Sequence, residues 1–181
     1  MNFIEQKIKG LYEIILNPLK DDRGSFARLF CKTNFSNIGL DEDISQINHS
    51  VNVEKGTLRG LHFQNPPFSE VKIIKCLKGA VQDVVIDIRK DSPTFLQYLS
   101  IELSVEKNNA IFIPKGFAHG FQTLEDNSEL LYLHTVPYNK QSEGGLRYND
   151  ITLNISWPFT PRNITQRDES HPLIDNTFLG I

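Results

Sequence analysis

Short apolar segments recur along the chain and alternate with turn residues. The segments are rich in Val, Ile, Leu, Phe and Tyr, and they lie at residues 11–16, 72–77, 81–88, 95–103, 110–113 and 130–136. Gly, Pro, Asp and Ser separate them, at residues 22–24, 78–79, 91–93, 114–116 and 143–145. Short apolar segments bounded by such turns predict β-strands.

Helical periodicity is nearly absent from the chain. Only residues 33–38 resemble a short helical turn, with Thr33 as its possible N-cap. Many short strands with Gly and Pro at the corners predict a sandwich or a barrel. The segment after Trp157 is richer in Pro, Asn and Asp, and we expect it to wrap the surface of one domain spanning residues 1–181.

Composition and charge narrow the range of functions. The formal charge of −3 gives no basic field that would attract nucleic acid or acidic membranes. No apolar run is long enough to span a bilayer, and the first ten residues lack the apolar core of a secretory signal. Cys31 and Cys76 are too few for a disulfide framework and are expected as buried thiols. We therefore expect a cytoplasmic protein.

The densest polar cluster is residues 57–64 (TLRGLHFQ). On a strand, His62 and Gly60 point to one face and the flanking apolar side chains to the other. Arg59 falls on the face opposite to His62 unless a bulge at Gly60 re-aims it. This segment alone leaves open whether His62 is catalytic or a satisfied histidine of the core.

Three further side chains could carry chemistry. Lys72 interrupts the apolar run 71–74, which is costly for a buried strand unless the lysine is paired or functional, although it could also snorkel at a strand edge. His119 stands between two small residues that leave room for a ligand. Tyr132 shares a strand face with His134, although tyrosines on strands are usually packing residues.

The sequence lacks the usual pattern of a metal-binding β-barrel enzyme, which is His-x-His with a nearby carboxylate. Gln64 stands two positions after His62, and His119 is likewise solitary. We therefore predict neither a metal nor a cofactor. Without a metal, a histidine, a lysine and a tyrosine around one cavity indicate proton-transfer chemistry.

Eight short segments carry a more specific signal through their order along the chain. They are residues 22–26 (DRGSF), 46–50 (QINHS), 58–64 (LRGLHFQ), 87–94 (DIRKDSPT), 114–121 (PKGFAHGF), 142–144 (SEG), 155–158 (ISWP) and 167–168 (RD). Each is a weak motif alone. Together, and in this order, they resemble the dTDP-4-dehydrorhamnose 3,5-epimerase family over nearly the whole chain.

The resemblance implies a fold and a reaction. The implied fold is all-β, a cupin-like jelly-roll barrel with short helical turns and a C-terminal wrapping tail. The implied assembly is a homodimer whose N-terminal strands cross to the partner. The implied reaction is epimerisation at C3 and C5 of a nucleoside-diphosphate 4-keto-6-deoxyhexose, through an enolate and without a cofactor.

The resemblance also implies residue roles. His62 matches the general base, Asp168 the carboxylate that orients it, Lys72 the cation beside the ketone oxygen, and Tyr132 the acid on the opposite face of the sugar. Arginines match positions near the diphosphate or nucleotide, and an aromatic residue matches the side chain that stacks on the base. The implied substrate-binding residues are Arg23, Phe26, Arg28, Gln46, Asn48, Arg59, His119, Tyr138, Glu143 and Arg167.

Two departures from the family pattern leave alternatives open. Arg28 stands where many members carry Glu, and Arg167 stands where Lys is common. The first departure reverses a charge and leaves the base of the nucleotide undetermined. The alternatives are a 3-only or 5-only epimerase, an enzyme for a CDP- or GDP-linked hexose or heptose, and a non-catalytic jelly-roll binder. A binder would be expected to lack His62, Lys72 or Tyr132.

Overall fold

The computed structural model describes all 181 residues as thirteen strands and two short helices. The strands are β1 (Asn2–Glu5), β2 (Tyr12–Ile15), β3 (Leu19–Asp21), β4 (Gly24–Phe26), β5 (Gln46–Asn52), β6 (Leu58–Gln64), β7 (Lys72–Lys78), β8 (Ala80–Asp87), β9 (Tyr98–Ser104), β10 (Asn109–Ile113), β11 (Phe117–Thr123), β12 (Ser128–His134) and β13 (Glu143–Gly145). The helices are α1 (Lys32–Ser36) and α2 (Gln166–Ser170).

The strands form two main sheets and one separate hairpin. The first sheet has six strands in the order β1-β2-β10-β7-β12-β5, and the second has five in the order β13-β6-β11-β8-β9. All the strand pairs are antiparallel, and β3 and β4 pair only with each other. Neighbouring strands are often distant in sequence, as in a jelly roll. The predicted all-β fold is confirmed.

The main core lies between the two sheets. Apolar side chains from both sheets meet there, and Ile74 and Ile111 of the first sheet belong to the same cluster as Val85 and Phe121 of the second. Because side chains alternate along a strand, each of these strands also has an outer face that must be covered or solvated. The cover differs between the two sheets.

The outer faces carry two further apolar clusters. On the six-stranded sheet, Phe35 of α1 packs with Phe112 of β10. On the five-stranded sheet, the C-terminal segment supplies the cover, including Trp157 and Phe178. Because the C-terminal segment covers the outer face of the five-stranded sheet, β8 carries apolar side chains on both of its faces. This segment confirms the predicted wrapping tail.

The structure corrects several local predictions. The helical turn starts at Lys32, and its N-cap is Cys31 with no side-chain hydrogen bond, so the prediction of Thr33 as the cap was wrong. The strand expected from residue 95 begins at Tyr98, because turns occupy the preceding residues. Cys31 is half-buried and only Cys76 is buried, and both are free thiols. Strands β1, β3, β4, β5 and β13 and helix α2 were not predicted as elements. Residues 143–145 were expected as a turn, but they form β13 because they pair with β6.

Each helix has five residues, and neither could cross a bilayer.

Candidate active site

A cavity of about 340 Å³ opens at one end of the barrel, between the two sheets. Only four of its seventeen lining residues are hydrophobic, which is unusual for a space inside a β-sandwich and indicates a site for a polar ligand. The lining residues are Asn48, Ser50, Arg59, His62, Phe63, Gln64, Glu70, Lys72, His119, Phe121, Tyr132, His134, Tyr138, Glu143, Thr165, Arg167 and Asp168.

The two sheets supply opposite walls of this cavity. His62 on β6 and His119 on β11 are direct partners across neighbouring strands of the five-stranded sheet. Lys72 on β7 and Tyr132 on β12 come from the six-stranded sheet. The predicted base, cation and acid therefore line one space and approach it from two sides. Below, the two sides are called the His62 wall and the Tyr132 wall.

A register shift in β6 brings Arg59 to the cavity. His119 pairs with His62, but Phe121 pairs with Arg59, so β6 holds one extra residue between the two pairs. Gly60 lies in this bulge at φ +125°, and a Cβ there would be 2.5 Å from the Cα of Gly120. Only glycine fits this close approach of two strands. The bulge considered from the sequence is confirmed.

Asp168 holds the imidazole of His62. The Nε2 atom of His62 lies 2.9 Å from Oδ1 of Asp168, whose side chain is almost completely buried. Arg167 also approaches, with Nε 3.1 Å from the same Oδ1 and Nη2 3.0 Å from His62 Nε2. A carboxylate can only accept, so Nε2 carries the proton that points to Asp168. The Arg167 guanidinium then donates to Asp168 and Glu143, and its approach to Nε2 is a contact between two donors and not a hydrogen bond. The Nδ1 atom of His62 is then left to accept a proton.

The environment of Asp168 keeps its carboxylate ionised. Burial alone would raise the pKa of Asp168, but hydrogen bonds from His62, the Gly60 N–H and Arg167 outweigh burial and lower the pKa well below its usual range. Helix α2 places Asp168 in its first turn, where Thr165 Oγ1 accepts a hydrogen bond from the Asp168 N–H. A Thr three residues before an acidic residue is a capping signal that could have revealed this helix in the sequence.

Lys72 is buried in the Tyr132 wall and does not snorkel to solvent. Its Nζ lies 3.3 Å from Oε1 of Glu70 and 3.4 Å from the carbonyl oxygen of His62. The other carboxylate oxygen of Glu70 lies 2.7 Å from Nδ1 of His134. Burial would raise the pKa of Glu70, but the His134 hydrogen bond and the Lys72 charge outweigh it and lower that pKa.

Tyr132 is placed to remain a neutral phenol. Its ring stacks on His134 at a centroid distance of 5.9 Å and meets the ring of His119 edge-on at 6.2 Å. Burial raises the pKa of Tyr132 well above its usual value, and the negative charge of Asp83 adds to the effect. Such a phenol holds its proton until a stronger base approaches, which suits a proton donor.

His119 is held by a buried carboxylate that the sequence analysis missed. Its Nε2 lies 2.8 Å from Oδ2 of Asp83, and both side chains are buried. The second oxygen of Asp83 has no hydrogen-bond partner. On β8, Asp83 stands opposite Phe121 of β11, two residues beyond His119. An Asp in the interior of a mostly apolar strand was the available sequence signal.

The mouth of the cavity carries a chain of polar contacts. The Tyr138 hydroxyl donates to Glu143, and Glu143 also accepts from Nη1 of Arg167 at 2.8 Å. The Tyr138 N–H donates to the side-chain oxygen of Gln46, whose amide in turn donates to Asn48. The structure thus brings these predicted binding residues together with the His62 wall.

Three predicted binding residues do not reach this cavity within one chain. Arg23, Phe26 and Arg28 lie on or next to the β3–β4 hairpin, and all three are exposed. Arg23 forms an ion pair with its neighbour Asp21 at 2.6 Å. The side chain of Phe26 is solvated although it is large and apolar, with 72% of its surface accessible. Their placement is compatible with a site completed by another chain.

A group of metal-ligand type occurs beside the cavity. His62, Asp168 and His171 each offer one ligand atom, and the three atoms lie within 4.8 Å of one another. The guanidinium of Arg167 already contacts two of these residues, and a metal ion would meet its positive charge. The arrangement fits a proton-transfer site better than a metal site.

Comparison with known proteins identifies the family. Residues 5–176 match the family model of dTDP-4-dehydrorhamnose 3,5-epimerase. The dTDP-4-dehydrorhamnose 3,5-epimerase of Salmonella typhimurium is 41% identical over 170 residues, which cover 92% of each chain.

Solved structures agree with this match. The Legionella pneumophila dTDP-6-deoxy-D-glucose-3,5-epimerase, in complex with dTDP-4-keto-L-rhamnose, superposes with a TM-score of 0.92 at 36% identity, over 98% of this chain and 96% of that one. ChmJ, a 3'-monoepimerase of Streptomyces bikiniensis in complex with dTDP-quinovose, gives 0.86 at 30% identity, over 93% and 86%. The chain therefore belongs to the dTDP-4-dehydrorhamnose 3,5-epimerase family and is an isomerase.

Proposed function

We propose that His62 and Tyr132 exchange protons with the two faces of a sugar ring bound in the cavity, with Lys72 beside the ketone oxygen. The implied substrate is dTDP-4-dehydro-6-deoxyglucose, and the product is dTDP-4-dehydrorhamnose. The observation that carries this proposal is the placement of an oriented imidazole and a neutral phenol on opposite walls of one polar cavity.

The reaction needs no external oxidant or reductant. The 4-ketone acidifies the hydrogens on C3 and C5. His62 takes one of these protons, and the electron pair of the broken C–H bond forms an enolate whose negative charge rests on the former ketone oxygen. Lys72 stabilises that charge. The Tyr132 hydroxyl then protonates the carbon from the other face, the ketone re-forms, and the carbon is inverted.

Asp168 supports the base in two ways. Its hydrogen bond with His62 keeps the imidazole in one tautomer, and its negative charge stabilises the imidazolium that forms when the proton is taken. The buried carboxylate is already ionised, as the lowered pKa requires. Asp168 is therefore proposed as the orienting carboxylate.

The remaining lining residues are proposed to bind the nucleotide sugar. Arg59 and Arg167 offer guanidinium groups suited to phosphate oxygens. Tyr138 is half exposed at the mouth, where a nucleobase could stack on its ring. The other proposed polar contacts from the lining are Asn48, His119 and Glu143. Gln46 does not line the cavity but contacts Tyr138 and Asn48 beside it, and it is also proposed as a binding residue.

We propose that the working unit is a homodimer. Strand β5 lies at the edge of the six-stranded sheet, and its residues Ile47 and Val51 are largely exposed although they are apolar. Phe26 is also exposed, on the β3–β4 hairpin. Exposed apolar surface of this kind favours burial against a second copy, and the hairpin would then bring Arg23, Phe26 and Arg28 to the partner's cavity.

Co-expression of two inactive variants tests this assembly. Arg23→Ala lacks the hairpin arginine and His62→Asn lacks the base, so a mixed dimer holds one site with both groups intact. About a quarter of the wild-type activity should return when the two are co-expressed with random pairing. No recovery, with mixed dimers present, would mean that the hairpin does not serve the partner's site.

We propose the cytoplasm as the location. The support comes from two free thiols in a chain whose fold contains no disulfide, which suits a reducing compartment.

Incubation with dTDP-4-dehydro-6-deoxyglucose in D₂O tests the reaction itself. The nuclear magnetic resonance spectrum should show deuterium at both C3 and C5 together with inversion at both. Deuterium at one carbon alone would show a monoepimerase, which is the activity of ChmJ. No deuterium with dTDP-, CDP- or GDP-linked substrates would contradict the proposed proton transfer.

A further inference from the structure

A buried ionic group lies behind the proposed acid and cation. Glu70 contacts Lys72 with one carboxylate oxygen, at 3.3 Å, and His134 with the other, at 2.7 Å. The side chains of all three are only about a tenth exposed. The proposed reaction gives a role to Lys72 but none to Glu70 or His134.

Strand pairing explains why these three side chains meet. Lys72 of β7 and His134 of β12 are direct partners across the two strands. Glu70 comes two residues before Lys72, just outside β7, and its contacts with both side chains place it on the same face. A single carboxylate can therefore bind a group from each strand, and Glu70 does so.

The ring of His134 is held at both nitrogen atoms. Asn48 Nδ2 lies 3.3 Å from Nε2, and the oxygen of the same amide accepts a hydrogen bond from Gln46, which sets the orientation of the amide. With Asn48 donating to Nε2, the Nδ1 atom of His134 donates to Glu70. The two contacts are mutually consistent, and they prevent the ring from turning.

This immobilised ring is the surface on which Tyr132 rests. The two rings are 5.9 Å apart between centroids and only 11° from parallel. His134 is two residues after Tyr132 on β12, so both side chains lie on the same face. Through Glu70, the plane that supports the phenol is therefore connected to the ammonium group of Lys72.

We propose that Glu70 and His134 are positioning residues, which hold the phenol of Tyr132 and the ammonium group of Lys72 in one fixed arrangement. This inference rests on the proposed roles of Tyr132 and Lys72. His134 sets the angle of the returning proton, and Glu70 sets the place of the positive charge. Displacement of a reacting group by about 1 Å can cost on the order of 10²-fold in rate.

The two positioning roles have different kinetic signatures. Once the proton on His62 has exchanged with D₂O, the base can return deuterium to the same face, which labels the substrate without inversion. A loosened phenol competes less well for the enolate, so the ratio of exchange to inversion rises. A misplaced Lys72 slows formation of the enolate, which lowers exchange and inversion equally.

Two substitutions at one position separate the stacking from the hydrogen bond. His134→Asn keeps a donor toward Glu70 but removes the ring, whereas His134→Phe keeps a ring and removes the donor. We expect His134→Asn to raise the ratio about fivefold and to lower kcat for inversion about tenfold, with KM within twofold. His134→Phe should raise the ratio less than His134→Asn does, because a ring remains under Tyr132 but the two hydrogen bonds that prevent it from turning are lost.

Glu70→Gln tests the other half of the inference. It should lower exchange and inversion by the same factor, about tenfold, and leave the ratio unchanged. Asp87→Asn is the matched control, because Asp87 is a buried carboxylate paired with Arg89 and neither residue lines the cavity. The control should keep the wild-type kcat and ratio. Circular dichroism and urea midpoints establish that each variant is folded.

The outcomes distinguish the inference from the reaction on which it rests. Wild-type protein that exchanges no deuterium contradicts the proposed function. Wild-type protein that epimerises, combined with a folded His134→Asn variant of unchanged kcat and ratio, overturns the positioning role of His134. A folded Glu70→Gln variant of unchanged rate overturns the role of Glu70. A loss in Asp87→Asn as large as in Glu70→Gln would also overturn this role. The loss would then follow from disruption of any buried ion pair and not from the contact between Glu70 and Lys72.

Discussion

The His62 wall and the Tyr132 wall of the cavity hold their reactive groups by opposite means. On the His62 wall, a buried and ionised Asp168 contacts the imidazole at 2.9 Å, and Arg167 lies beside both. On the Tyr132 wall, the phenol makes no hydrogen bond to a charged group, and it is held by stacking and burial. The imidazole is held by charge, and the phenol itself is held by packing.

The difference follows from what each group must do during the reaction. A base gains a positive charge when it takes a proton, so a fixed anion nearby stabilises its protonated form. An acid must begin protonated, so a site that disfavours the phenolate keeps it ready. Damage to each wall should therefore produce a different failure.

The largest effect should come from His62→Asn. Without the imidazole no proton leaves C3 or C5, so both deuterium exchange and inversion should fall by about 10³-fold or more. The KM should change little, because the asparagine still fits the cavity and can bond to Asp168. Steady-state kinetics and exchange in D₂O measure both quantities. A large rise in KM with a nearly normal kcat would show that the imidazole only holds the ligand.

Tyr132→Phe should come next and should fail differently. Inversion should fall by about 10²-fold or more because no acid serves the second face, whereas exchange catalysed by His62 should persist. Tyr98→Phe is the matched control, since Tyr98 lies on β9 and does not line the cavity. Equal loss of exchange and inversion in Tyr132→Phe would remove the division of labour between the two walls.

Asp168→Asn should lower kcat by about 10²-fold, because it weakens the base His62 and leaves the acid Tyr132 unaffected. The amide cannot stabilise an imidazolium by charge, and it can favour the wrong tautomer of His62. Exchange and inversion should fall together, because both begin with the base. An altered ratio of exchange to inversion would instead show that Asp168 acts on the acid.

The same carboxylate should influence stability at low pH. Folding lowers the pKa of Asp168, so the ionised group stabilises the native state above the unfolded pKa of about 4. This contribution is lost as the pH falls through the folded pKa. The urea midpoint of wild-type protein should therefore fall more between pH 7 and pH 3 than that of Asp168→Asn. Parallel changes would mean that the ion pair adds nothing to stability.

The sequence predicts the strands of the main core well because their physical signal is local. Apolar residues make up most of β7, β8 and β10, and turn residues bound these strands. The β3–β4 hairpin and β5 were missed because their side chains are largely solvated and show no apolar pattern. If a second copy covers these strands, their signal depends on an interface that one sequence does not display.

The candidate site could be predicted only in part. The alternation of side chains along β6 indicated that Arg59 could reach the face of His62 only through a bulge, and the strand register confirms this bulge. In contrast, Asp168 and His62 are 106 residues apart, and no local pattern connects them. Only the resemblance placed the two together. The sequence placed His134 on the face of Tyr132, but it did not predict that Glu70 joins His134 to Lys72, because strand register sets these contacts and a single sequence leaves the register undetermined.

The smallest effect is expected from removal of metal ions, and it again separates the two walls. The only group of metal-ligand type found in the structure is His62, Asp168 and His171, on the His62 wall. Arg167 occupies the space beside two of these residues with a positive charge, so a divalent cation would have to displace it. We expect kcat to stay within twofold after dialysis against EDTA, and added Zn²⁺ to give no increase. His171→Ala removes one of the three possible metal-ligand atoms and should also leave kcat unchanged. The proposal would be contradicted if EDTA removed the activity, Zn²⁺ restored it and His171→Ala lacked it. A metal ion, and not the carboxylate of Asp168, would then be the charged group that activates His62.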